Sequence, residues 1–138
     1  MIEFYSENDF QLENQEAVAK WISSTIRQYN YEEGDIVYVF CDDAYLHKLN
    51  VQFLDHDTFT DIITFDNSLG KQAHAEIYIS TERVAENAAS FNNQFKDELH
   101  RVIIHGILHL VGLKDKSPEE EKAMRSAEDE ALTSRDFT

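Results

Sequence analysis

The chain has 138 residues, the length of one ordinary domain, and 42% of them are hydrophobic, so it can bury one core and is not a disordered chain. Its single cysteine, Cys41, excludes an internal disulfide and a cysteine-based metal cluster, while one proline and four glycines exclude a collagen-like or linker-rich protein. A formal charge of −15 argues against non-specific duplex binding, because phosphates are repelled at long range.

Met1 to Phe10 carries Glu3, Glu7 and Asp9 and lacks a basic stretch followed by an apolar one, so no signal peptide is expected. No apolar run approaches the roughly 18 residues of a membrane span. A cytoplasmic protein without a membrane partner is therefore expected, and a lone thiol fits such a reducing compartment.

Ile2 to Tyr5 reads as a short strand. Asn14 is placed to cap a helix to about Tyr29, with Val18, Trp21, Ile22 and Ile26 on one face. Gly34 is expected to break the chain before a buried strand, Ile36 to Cys41. Asp42 or Asp43 then caps a helix through Tyr45, Leu46, Leu49 and Phe53. Asp61 to Phe65 and Glu76 to Ser80 read as two strands, with a turn at Asn67 to Gly70. Thr81 starts a helix with Val84 and Ala88 inward. Leu99 to Leu113 is apolar nearly all round, which predicts a central buried helix. Ser117-Pro118-Glu119-Glu120 is a capping box with proline at the first helical position, opening a charged last helix. The order predicts one layered α/β or α+β domain over residues 1–138, with a small mixed β-sheet packed against helices.

The chemistry is concentrated in His105-Gly106-Ile107-Leu108-His109-Leu110-Val111-Gly112-Leu113-Lys114-Asp115. Residues four apart on a helix stack one above the other, so both imidazoles can reach one ion. Gly112 can turn left-handed, end the helix and bring Asp115 back towards that ion. Two imidazoles and one carboxylate leave a fourth position for water, the pattern of a catalytic site holding one zinc ion. Gly106 stands where a zinc protease of the His-Glu-x-x-His type needs its glutamate, which disfavours that class. The glycine points instead to a strand or a substrate backbone close to the helix. His47, His56, His74 and His100 lack ligand spacing and read as surface or hydrogen-bonded residues.

The segment His105 to Gly112 resembles the His-Gly-x-Leu-His-Leu-x-Gly signature of the YbeY-type rRNA maturation endoribonucleases. Leu49-Asn50 through Asp57, followed by Thr60 to Phe65, is similar to that family's Leu-Asn…Asp…Pro-Thr-Asp-Val-Leu-Ser-Phe stretch. Glu76 to Ser80 is similar to its Gly-Asp-Ile strand, and Glu121, Met124 and Glu128 sit where its last helix carries similar residues. The resemblance covers the chain from about Tyr38 onward. It implies an α+β fold, a zinc ion and cleavage of single-stranded RNA in rRNA maturation and ribosome quality control. Ribosome or small-subunit components are the implied partners.

Three positions depart from the family pattern. The third ligand is a histidine in the family and Asp115 here in the ungapped register. A one-residue shift would place Lys116 on it, and an ammonium has no lone pair to donate. Leu54 replaces an arginine that the resemblance implies as a phosphate contact, and Ala75-Glu76 replaces Gly-Asp. No catalytic residue is read beyond the metal-bound water, whose pKa the ion would lower. Lys114 and Lys116 flank Asp115 and are placed to neutralise a phosphate. Two other readings compete: a ribosome-associated assembly factor with a structural metal, and a metallohydrolase acting on peptide.

Overall fold

In the computed structural model, which describes residues 1–137, apolar side chains alternate along the strands and cover both faces of the sheet. The elements are β1 (Ile2–Ser6), α1 (Gln15–Gln28), β2 (Glu32–Cys41), α2 (Asp43–Leu54), β3 (Ile62–Asp66), β4 (Gln72–Ser80), α3 (Thr81–Ser90), α4 (Phe95–Leu110) and α5 (Pro118–Thr133). The strand order is β1-β2-β4-β3. β1 and β4 both run parallel to β2, and β3 runs antiparallel to β4 at the open edge. This is the expected α+β fold with a small mixed sheet.

Side-chain alternation assigns the two faces. Ile36, Tyr38, Phe40, Ala75, Ile77 and Ile79 join the main core with residues of α1 and α4. Cys41, Ile63, Phe65 and Tyr78 face the other way and pack with Leu46 and Leu49 of α2. α4 is central, as its apolar composition predicts. Leu99, Val102, Ile103, Ile104, Ile107 and Leu108 are all buried. Its outer side is closed by α5, which turns Met124, Glu128 and Ala131 inward at helical spacing.

The capping box of α5 is present. Ser117 Oγ accepts from the Glu120 backbone N–H, and the Glu120 carboxylate accepts from the Ser117 N–H. Asp42 caps α2 by accepting from the Tyr45 N–H at 2.8 Å.

Three expectations need correction. Asn14 precedes α1 in a left-handed conformation, φ 57°, and its side chain caps nothing. Asparagine tolerates that conformation, and its contribution here is a backbone carbonyl that accepts from Val18. Gly34 does not break the chain but lies inside β2, where the pairing with β4 shifts register between Glu33 and Ile36. A Cβ there would sit 2.5 Å from the Ala73 carbonyl oxygen, so glycine permits close approach at a bulge. The apolar helix begins at Phe95 and ends at Leu110, not Leu99 to Leu113, because the Gly112 turn stops it.

Gly106 brings α4 against the sheet. A Cβ at this position would lie 3.2 Å from Ile62 Cδ1 and 3.3 Å from Ile77 Cδ1 and Thr64 Oγ1. The close neighbours are strand side chains, so the glycine sets the helix-to-sheet distance. Gly106→Val should cost about 1–3 kcal/mol by overpacking. Gly106→Ala should stay within about 1 kcal/mol of the parent, because its helix propensity gain offsets the contact. Urea unfolding of both variants measures the difference, and a Val variant as stable as the parent would refute this packing.

His100 gives the fold an acid-sensitive point. It is 3% exposed, between the Trp21 and Phe137 rings, and its Nδ1 accepts from Arg135. Burial, reinforced by the Arg135 charge, lowers its pKa to about 4. The neutral form is favoured on folding, so this stability is fully present above pH ~6.5 and lost as pH falls towards 4. The loss should reach about 3 kcal/mol near pH 4. His100→Phe should flatten the decline of unfolding free energy between pH 6.5 and 4; an equally steep decline would remove His100 as its source.

Candidate metal centre

His105 and His109 occupy successive turns of α4, with ring centroids 4.6 Å apart. Their Nε2 atoms lie 3.0 Å from each other. Asp115 Oδ2 lies 3.4 Å from the first and 3.3 Å from the second. Among the described residues these three side chains form a group that could hold a metal. Bonds of 2.0–2.1 Å to a tetrahedral ion require donor atoms roughly 3.3 Å apart, close to the spacing seen.

The opposite ring nitrogens decide the tautomers. His105 Nδ1 lies 2.6 Å from Glu128 Oε2, and His109 Nδ1 lies 3.0 Å from the Leu113 carbonyl oxygen. Both partners are acceptors, so each Nδ1 carries its hydrogen in the neutral ring. Both Nε2 lone pairs then face the Asp115 carboxylate, the arrangement a cation requires.

The backbone after α4 supplies one of those acceptors. Gly112 has φ 106°, the Gly112 N–H donates to His109 O, and the Leu113 N–H donates to Leu108 O. This is a Schellman turn. It aims the Leu113 carbonyl at His109 and returns the chain so that Asp115 reaches both imidazoles.

Glu128 was not assigned a role from the sequence. It is 5% exposed and accepts from Arg101 at 2.9 Å as well as from His105. Burial alone would raise its pKa, but hydrogen bonds from His105 and Arg101 outweigh burial and hold it below the usual carboxylate range. Burial likewise opposes protonation of His105, and the bond to Glu128 with the charges of Glu128, Asp115 and Asp61 raises its pKa overall. The available sequence signal was an acid at an inward position of α5, four residues after Met124.

The group opens into a cleft of about 680 Å³. Leu54, Thr60, Asp61, Ile62, Thr64, Leu110 and Lys116 line it together with the three candidate ligands. Burial raises the pKa of Asp61 against the pull of His105. Lys116 lines the cleft and is exposed, whereas Lys114 is exposed but does not line it. Leu54 lies in the cleft wall. Glu76 is outside it, on the α2 side of the sheet, accepting from the Tyr78 hydroxyl. Cys41 is buried and its thiol is pushed up to about 12, which excludes a thiolate nucleophile at neutral pH.

The remaining histidines are hydrogen-bonded or exposed. His47 bonds Asp57 at 2.8 Å, His74 accepts from the Asp35 N–H, and His56 is exposed. Among the described residues, no helix is long and apolar enough to cross a membrane.

Comparison with known proteins now bears on this geometry. The family model described as Endoribonuclease YbeY matches residues 2–136. A protein of Christiangramia forsetii named Endoribonuclease YbeY is 54% identical over 131 residues, covering 95% of this chain and 92% of its own. A protein of the same name from Flavobacterium johnsoniae is 50% identical, covering 96% and 95%. The solution structure of TM1509 from Thermotoga maritima superposes with TM-score 0.62 at 25% identity, covering 96% of this chain and 90% of that one. The signature around His105 and His109 thus lies within a match spanning nearly the whole length, and the chain belongs to the endoribonuclease YbeY family.

Proposed function

We propose that this chain is a zinc-dependent endoribonuclease that cleaves single-stranded RNA in rRNA maturation and ribosome quality control. It would act in the cytoplasm on ribosomal or small-subunit substrates. The observation that carries the reading is the convergence of His105 Nε2, His109 Nε2 and Asp115 Oδ2 in a member of this family. Three donors beside an open cleft leave room for water and substrate, unlike the closed coordination of a structural site.

A bound divalent ion supplies Lewis acidity and an activated water. The chain's own residues provide the rest. Glu128 and the Leu113 carbonyl hold the two imidazoles in the coordinating tautomer. Lys116, with Lys114 beside it, meets the phosphate at the cleft mouth. Asp61, a carboxyl raised by burial, is suited to hold a proton at the cleft wall.

His105→Ala should abolish stoichiometric zinc in elemental analysis; full metal content in that variant would refute the ligand set. Glu128→Gln should retain the fold and lower zinc affinity about 10- to 100-fold, measured by competition with a chromophoric chelator. Unchanged affinity would reduce Glu128 to a packing residue.

Cleavage of a single-stranded RNA should stop with chelator, return with zinc, and have no counterpart on casein. Casein cleavage without RNA cleavage would favour the peptide reading. The salt dependence of RNA binding should correspond to only about two or three phosphate contacts. Lys114→Ala with Lys116→Ala should reduce that slope, and a steep slope unaffected by the pair would place the phosphate contacts elsewhere.

A further inference from the structure

β3 is an edge strand: β4 pairs with it on one side, and among the described residues nothing pairs with it on the other. Along an antiparallel pair, hydrogen-bonded residues alternate with residues whose backbone groups point away from the partner. Bonds at the two ends of β3 fix the alternation. The Ser80 N–H donates to the Asp61 carbonyl at 3.0 Å, and the Asn67 N–H donates to the His74 carbonyl at 2.8 Å. Between them the ladder takes the backbone groups of Ile63 and Phe65, and those of Ile62, Thr64 and Asp66 turn to the open edge. The Thr60 hydroxyl donates to the Ile62 carbonyl at 3.3 Å. The Thr64 N–H and C=O have no partner among the described residues.

This edge lies in the cleft of the candidate metal centre. Ile62, Ile63, Thr64 and Asp66 all line it, together with His105, His109 and Asp115. Successive strand side chains point to opposite faces, so a cleft touching both sets runs along the edge of the strand. Thr64 Oγ1 would lie 3.3 Å from a Cβ on Gly106, the residue after His105. The free backbone groups of Thr64 and the three metal donors therefore share one cleft.

We infer that the open edge of β3 distinguishes RNA from DNA: the Thr64 N–H donates to a phosphate oxygen of the single strand, and the Thr64 C=O accepts from the adjacent ribose 2′-hydroxyl. The inference rests on the proposed RNA substrate and names how its sugar is recognised. A phosphodiester offers acceptors alone, so DNA can satisfy the N–H and leaves the C=O unpaired. RNA adds a hydroxyl donor on every sugar. Backbone N–H groups are common phosphate contacts, and they carry no net charge. This suits a chain with a formal charge of −15 that brings Lys116 as the lysine in the cleft lining. A polypeptide strand also pairs with open edges. Membership of an endoribonuclease family and the shared cleft favour RNA.

The test measures binding to the full-length zinc-loaded protein under conditions in which no cleavage product accumulates. Binding separates sugar recognition from any part the 2′-hydroxyl takes in cleavage. Wild type should bind a single-stranded RNA more tightly than DNA of the same sequence. A scan of single 2′-deoxy substitutions should concentrate a loss of roughly 2- to 10-fold at one or two positions, the size of one hydrogen bond. A 2′-fluoro group there should lose as much, because it has no proton to donate. Thr64→Pro removes the outward N–H and leaves the β4 ladder intact, since proline is tolerated on an edge strand whose N–H faces solvent. Without its phosphate anchor the sugar loses its register on the carbonyl. The variant should weaken RNA binding by a similar factor, shrink the preference for RNA over DNA and keep the salt slope.

Circular dichroism and zinc content are measured alongside; if Thr64→Pro does not fold, the scan on wild type decides alone. Equal affinity for RNA and DNA, or a flat scan, would overturn the assignment and leave the endoribonuclease reading standing. So would a folded, zinc-loaded Thr64→Pro with the full RNA preference. A casein digest that displaces RNA from wild type and not from Thr64→Pro would make the edge a polypeptide-pairing site and overturn it too. No RNA binding by wild type would overturn both readings.

Discussion

Two half-buried imidazoles on the apolar C-terminal half of α4 impose the constraint on which the rest of the site depends. Each ring has two nitrogens to satisfy, and the ring edge turned into the protein is costly to leave unpaired. The fold meets the need asymmetrically. Nδ1 of His105 turns to a buried carboxylate on α5, and Nδ1 of His109 turns to a carbonyl delivered by the Schellman turn. The two Nε2 atoms are then left facing each other and Asp115. In the neutral tautomers those nitrogens are both acceptors, and they cannot hydrogen-bond each other without an added proton or cation. The packing of α5 on α4 and the turn at Gly112 together aim three donor atoms at one point, an arrangement suited to a cation.

The same constraint explains the buried ion network around Glu128. A carboxylate 5% exposed is tolerated because His105 and Arg101 both donate to it. Arg101 is itself held by Asp129 at 2.6 Å. Breaking one partner of such a group strands a charge, so the network has value mainly in fixing geometry. It ties the first histidine to α5 from outside while Gly106 lets the same helix settle onto Ile62, Thr64 and Ile77 from inside. The metal candidates therefore stand on a helix located from two sides.

Much of this was legible in residue spacing. The four-residue interval of His105 and His109, the glycine after the helix and the returning Asp115 all correspond to observed geometry. So do the capping box at Ser117 and the central position of α4. What escaped the sequence was set by long-range pairing. Gly34 looked like a breaker because glycine is a strong local stop signal, yet its role is to admit the Ala73 carbonyl across a ladder 39 residues away at Ala73. Strands β2 and β4 extend into polar residues for the same reason, since pairing at Glu32 and Gln72 overrides composition. Glu128 was missed as a partner because a lone acid in a charged helix has no local sign of its burial. Only the docking of α5 on α4 reveals it.

The departures from the family pattern act in one direction. Where the resemblance implies an arginine and a third histidine, this chain has Leu54 in the cleft wall and Asp115 facing the two imidazoles, one positive charge fewer and one negative charge more. The proposed substrate is a polyanion, so both changes weaken purely electrostatic capture, and the chain's 27 acidic residues against 12 basic ones do not compensate globally. Affinity must then come from contacts that do not depend on net charge. At Leu54 the cleft wall offers apolar surface where an arginine would have offered charge.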